Sequence, residues 1–203
     1  SAPTQGWAQE PNNEFIMPTE IPSDTVARTH LIDSVKKTST YQEQKAAYLA
    51  ELALLTSSNQ SDVEVVVSLE KNMMQLLQSL NQTESHTRGQ APLNDPELSA
   101  AIGSAIVFQA SFYTDQLAKL SLLSRKGNRM MDRAVKQAPL NLGARLQRGI
   151  SCANMPAFMH RARFAVEDLE LIQQQIGAQY GPAFQSFVIF YLAQPYSRDQ
   201  QPD

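Results

Sequence analysis

Nine of the seventeen lysines and arginines fall between residues 125 and 164: Arg125, Lys126, Arg129, Arg133, Lys136, Arg145, Arg148, Arg161 and Arg163. The same stretch carries one acid, Asp132, so its formal charge is +8. Elsewhere eight basic residues stand against nineteen acidic ones, giving −11 within a chain whose net charge is only −3. Such asymmetry is the footprint of contact with a polyanion. Arginine outnumbers lysine seven to two in the stretch, and its planar fork suits phosphate oxygens. The competing expectation is that these arginines pair internally with the acidic remainder, including Glu167, Asp168 and Glu170.

Other chemistry is thinly represented. The three histidines, His30, His86 and His160, lie far apart and have no Cys, Asp or Glu at metal-ligand spacing. Cys152 in "GISCANMP" has no motif around it and reads as a small buried residue. There is no glycine-rich phosphate loop and no Gly-x-Ser-x-Gly. Carboxylate neighbours such as Glu167 and Asp168 point to different helix faces. We therefore expect no enzyme, no metal and no cofactor. The single cysteine excludes an internal disulfide and fits a reducing, cytoplasmic compartment. No apolar run approaches the ~20 residues of a membrane span, so no membrane association is expected. Ser1 stands where an initiator would, either as a cloning scar or as a processed terminus.

The elements that must position these cations read as mostly helical. Residues 1–23 hold four prolines without helical period; they form either a disordered terminus or an arm packed on this domain or a protein partner. A single helical domain is expected over 24–195, followed by a tail at 196–203. Thr40 and Glu43 stand at capping-box spacing before "YQEQKAAYLAELALL", with Ala47, Leu49, Leu52, Ala53 and Leu55 facing the core. Asn94 or Asp95, with Pro96 at the first turn, starts a helix continuing to about Leu123. Gly127 breaks the basic segment after it. Pro156 opens a long helix ending at Gly177, and "AFQSFVIFYLAQP", apolar all round, belongs in a buried position.

One segment departs from this pattern. In "DVEVVVSLEKNMMQLLQSL" (62–80), Val63, Val65, Val67 and Leu69 alternate with Asp62, Glu64, Val66 and Ser68. That gives one purely apolar face to a short strand at about 63–69. Leu69, Met73, Leu76, Leu77 and Leu80 then fall into helical spacing. The alternative is that the valines are simply the first turns of a longer helix. A strand needs a hydrogen-bonding partner; with none evident in the chain, the simplest is its own copy across the two-fold axis of a homodimer.

Strand, helix and second helix in "VEVVVSLEKNMMQLLQSL" and "LSAAIGSAIVFQASFY" resemble the ribbon-helix-helix family of DNA-binding transcriptional regulators, over residues 62 to about 113. The full chain is similar to a regulator carried on a conjugative element such as a plasmid. The resemblance implies a ribbon-helix-helix-like unit at 62–123, with basic then apolar helices at 125–195. It implies double-stranded DNA as partner, with Glu64, Val66 and Ser68 facing the major groove and Lys71 adding a cation. Asn94, Asp95 and Ser99 would lie near a phosphate. The leading functional expectation is a sequence-specific, homodimeric DNA-binding regulator. The alternative is a non-enzymatic structural or adaptor subunit, which would use the 1–23 arm and the apolar C-terminal segment for protein contacts.

Overall fold

The computed structural model describes residues 40–58, 60–83 and 95–176, together with isolated positions between 26 and 33 and between 186 and 193. Within these, the fold is helical: α1 Tyr41–Ser57, α2 Val63–Thr83, α3 Pro96–Ala110, α4 Leu117–Gln137, α5 Leu142–Ala153 and α6 Ala162–Ile176. Short 3-10 turns at Ser111–Tyr113 and Ala157–Met159 connect α3 to α4 and α5 to α6. None of the described helices is long and apolar enough to cross a membrane. The expected arm at 1–23 and tail at 196–203 lie outside the described residues.

The expected strand at 63–69 is overturned: those residues are the first two turns of α2, and the described residues contain no strand. Asp62 starts the helix, its carboxylate accepting from the Glu64 amide at 3.0 Å and its carbonyl from the Val66 amide at 3.3 Å. The buried set is Val66, Leu69, Met73 and Leu76, which is helical spacing. Val65, assigned to an apolar strand face, is 42% exposed. β-Branched residues cost a helix only some tenths of a kcal/mol each, roughly, and burial of Val66 and Leu69 outweighs that. Without a strand, the ribbon-helix-helix architecture and the strand-paired dimer are withdrawn together.

α3 organises the rest. The helix is apolar almost all round, and its side chains enter two cores. Leu98, Ala101, Ile102, Ala105 and Ile106 join Leu49 and Leu52 of α1 with Val66, Leu69, Met73 and Leu76 of α2. Ala100 faces the other way, into a core of small residues and methionines. That core contains Met131, Ala134 and Val135 of α4, Ala144, Cys152 and Ala153 of α5, and Met155 and Ala165.

Three expected boundaries move. The helix from Pro96 stops at Ala110 rather than Leu123, and the Ser111 hydroxyl donates to the Phe108 carbonyl at 2.7 Å in the turn that follows. Gly127 does not break a helix. It lies within α4 where α3 crosses antiparallel to it, and a Cβ there would strike the Gly103 carbonyl and come within 2.6 Å of Val107 Cγ2. Reciprocally, a Cβ on Gly103 would stand 2.7 Å from the Gly127 carbonyl. Pro156 opens a turn, not a helix: His160 adopts a left-handed conformation (φ 52°), and α6 begins at Ala162. Of the apolar C-terminal segment, Val188 is buried whereas Ile189 and Phe190 are exposed.

Gly127→Ala tests the crossing. Helix propensity alone favours the variant by about 1 kcal/mol, but the obstructing atoms include backbone that cannot swing aside. We expect a net loss of about 1–3 kcal/mol in urea denaturation; a stabilised variant would refute the close approach.

Candidate nucleic-acid interface

The cations of α4 form a surface that internal pairing leaves largely free. At 3.6 residues per turn, Arg125, Arg129, Arg133 and Lys136 fall within an arc of about 80°, with Lys126 and Lys119 at its edge. All four of the first set are exposed. From Lys119 to Lys136 the row is about 25 Å long. Arg125 Nη2 donates to Ser121 Oγ at 3.2 Å, and Lys119 lies 3.7 Å over the Tyr113 ring. Lys126 Nζ, 55% exposed, stands 3.6 Å from Glu70 Oε1, a long pair worth less than about 1 kcal/mol. No described carboxylate pairs with Arg129, Arg133 or Lys136.

The arginines of α5 and the 161 corner are used differently. Arg148, 4% exposed, binds Asp168 through two parallel bonds, Nε to Oδ2 at 2.6 Å and Nη2 to Oδ1 at 2.8 Å. It also reaches Asp132 Oδ1 at 3.2 Å. Arg145 donates to Glu167 at 2.6 Å, to Asp168 at 2.8 Å and to the Pro139 carbonyl at 2.9 Å. Arg161 grips both oxygens of Asp132, at 3.0 and 2.7 Å. Burial works against the Arg148 charge, but the Asp168 carboxylate and its acidic neighbours outweigh it and hold the guanidinium above its ordinary pKa. Burial pushes the Asp168 carboxyl up, opposed by Arg148 and Arg145.

Internal pairing therefore claims Arg145, Arg148 and Arg161, and leaves Arg125, Arg129, Arg133 and Arg163 outside it. Asp132, the one acid of the basic stretch, borders the row on α4, 38% exposed, but its ion pairs go to Arg148 and Arg161 and not to the row. Arg163 is exposed and lies 4.7 Å over the Phe164 ring, which Arg161 (3.9 Å) and Arg148 (4.9 Å) also approach. Burial raises the Cys152 thiol to about 11 against the pull of Arg161, leaving little thiolate near neutrality.

The contacts implied by the family resemblance fare worse. Glu64, Ser68 and Lys71 are exposed, but on a helix, where they cannot line a groove-reading ribbon; Val66 is fully buried. Asn94 lies outside the described residues. The start of α3 is no phosphate site. Asp95 caps it, its carboxylate accepting from the Leu98 amide at 3.0 Å, while the Ser99 amide is taken by the Asp95 carbonyl at 2.9 Å. Two acids, Asp95 and Glu97, already fill the positive end of the helix, so an incoming phosphate would be repelled.

What holds those acids was not legible in the sequence. Lys45 of α1 is fully buried; its Nζ lies 2.9 Å from Asp95 Oδ2 and 2.9 Å from Glu97 Oε2. The Tyr41 hydroxyl donates to Asp95 Oδ2 at 2.8 Å. Burial opposes the Lys45 charge, yet Glu97 and Asp95 outweigh it and raise its pKa. Burial and then the charge of Asp95 raise that of Tyr41. Groups of three or more metal-ligating side chains do not occur among the described residues.

Lys45→Met would strand two buried carboxylates and should cost about 3–5 kcal/mol, part of it recovered by adding Glu97→Gln. The pH dependence has a definite sign. Both Lys45 and Tyr41 have folded pKa values above their unfolded ones, so their contribution is fully present below about pH 10 and fades as pH rises through the folded values. Urea titrations across pH 8–11 (about the lysine and tyrosine range) should show an alkaline loss that is smaller in Lys45→Met. An unchanged loss would remove Lys45 from the account.

Comparison with family models, with curated proteins and with solved structures yields no match to this chain.

Proposed function

We propose that this chain is a non-enzymatic nucleic-acid-binding protein that grips a phosphate backbone along the exposed face of α4. The observation that carries the reading is the row Arg125, Arg129, Arg133 and Lys136, exposed on one helix face, with none of the four ion-paired to a described carboxylate. Exposed guanidiniums at helical spacing offer forked donors to successive anionic groups, whereas Arg145, Arg148 and Arg161 serve the fold. With Val66 buried and no ribbon, the reading extends to backbone contact and not to base recognition in a groove, since phosphate contacts position a protein without specifying sequence.

A second reading has its own support. Leu117 and Leu122 are 74% and 65% exposed on the same helix, as they would be in an adaptor that meets an acidic protein partner.

Binding to nucleic acid should weaken steeply with salt. The row with Lys126 at its edge makes five cations, which give a slope in log K against log salt of about −3.5 for a single strand and about −4.5 for a duplex. Affinity should therefore fall about 10²- to 10³-fold between 50 and 200 mM salt. Replacing Arg129 and Arg133 together by Ala should flatten the slope by about 1.4–1.8 while leaving the fold intact, because neither side chain pairs with a described acid. Fluorescence anisotropy at several salt concentrations measures this. No binding to any nucleic acid at low salt would leave the adaptor reading in its place.

A further inference from the structure

The surface beside the α4 row carries an aromatic ring that the fold does not need. Phe158 is 68% exposed, yet it sits on an anchored turn. The Met159 amide donates to the Pro156 carbonyl at 3.0 Å and the His160 amide to the Ala157 carbonyl at 2.9 Å. Met159 packs on the core of α4 and α5 residues, and His160 turns the chain through its left-handed conformation. Three residues on, Arg161 clamps Asp132 of α4. Asp132 lies about one turn or less from Arg129, Arg133 and Lys136, so the turn that carries Phe158 is tied to α4 beside the row. Arg163, exposed and stacked on Phe164, stands on the same corner.

We infer that this surface takes a single-stranded nucleic acid, its backbone along α4 and one base stacked on Phe158. The inference rests on the phosphate-backbone reading above and narrows it. Phosphates account for the cations, and an exposed aromatic on a turn tied to the same helix adds a stacking surface where base faces are free. In a duplex they are covered by their neighbours; in a single strand each base offers one. A cationic track joined to an aromatic platform is the general means of binding single strands with little sequence preference. Arginine already stacked on a ring, as Arg163 is, adds a second flat cationic surface.

The test uses the full chain and three labelled probes of about 15 nucleotides: oligo(dT), an abasic strand of equal length and a duplex, with anionic vesicles as a fourth arm. Wild type should bind oligo(dT) more tightly than the abasic strand or the duplex. Phe158→Ala should weaken oligo(dT) binding about 5- to 100-fold, to the level of the abasic strand, and leave the other two probes unchanged. Phe158→Trp should keep the affinity and show indole quenching on oligo(dT) beyond any change in the Trp7 signal of wild type. Circular dichroism checks that each variant is folded. Preference for duplex, or equal loss on all three probes in Phe158→Ala, overturns the inference while the phosphate-backbone reading stands. Binding to none of the nucleic acids, with or without binding to vesicles, overturns both.

Discussion

The structure depends on a helix with almost no face for solvent. α3 is enclosed by α1 and α2 on one side and by α4 and α5 on the other, so every neighbour is placed by how it meets α3. The closest meeting is with α4, where Gly103 and Gly127 bring two backbones into direct contact. That contact fixes the rotation of α4 about its own axis. Gly127, Met131 and Ala134 must face α3 and its core, and the arc holding Arg125, Arg129, Arg133 and Lys136 lies roughly opposite at about 100° per residue. The outward row of cations is thus a consequence of an inward pair of glycines. The buried helix also needs its polar start satisfied internally, and Lys45 meets that need from fifty residues away.

Much of the helical framework was legible from sequence. Thr40 does cap α1, its hydroxyl accepting from the Glu43 amide at 3.4 Å, and Asp95 with Pro96 opens α3 as the residue types suggest. The valine run misled because it satisfies two periods at once. Val66 is the residue that separates them: a strand puts it with Asp62 and Glu64, whereas a helix puts it with Leu69, Met73 and Leu76, which continue the helical series without a break. The end of α3 carried no Gly or Pro to mark it, and Gly127 looked like a breaker because close helix approach leaves no trace in the local sequence. Residues 111–116 and Gly127 are both tertiary decisions, taken where α4 turns back along α3.

Charge was legible as a sum and illegible as a layout. The count of nine cations against one acid is correct, yet those cations divide into two populations with opposite roles. The division turns on Asp132, Glu167 and Asp168, and the last two lie outside the basic stretch in sequence. Arg148 and Asp168 are twenty positions apart, and Lys45 and Asp95 fifty. Separations of that size give no local pattern, so the buried lysine passed as an ordinary helix residue. Burial of an ionised group makes sense only once its partners are seen, because an unpaired one would cost several kcal/mol (roughly).

The two arginine populations are also coupled energetically. Arg125, Arg129 and Arg133 repeat at four-residue spacing, and like charges so placed weaken an isolated helix by some tenths of a kcal/mol per pair, roughly. Gly127 within the same helix weakens it by about 1 kcal/mol more relative to alanine. α4 is weakened at those positions and is held there by its buried side, through Met131, Ala134 and Val135, and by the Asp132 clamp to Arg148 and Arg161. The paired arginines thereby keep the unpaired ones in line. Under the proposed reading, an anion that neutralises the row also removes the repulsion along it, so ligand binding and the stability of α4 rise together. On that reading, the tertiary contacts that hold α4 are also what keep its exposed cations aligned for an anionic partner.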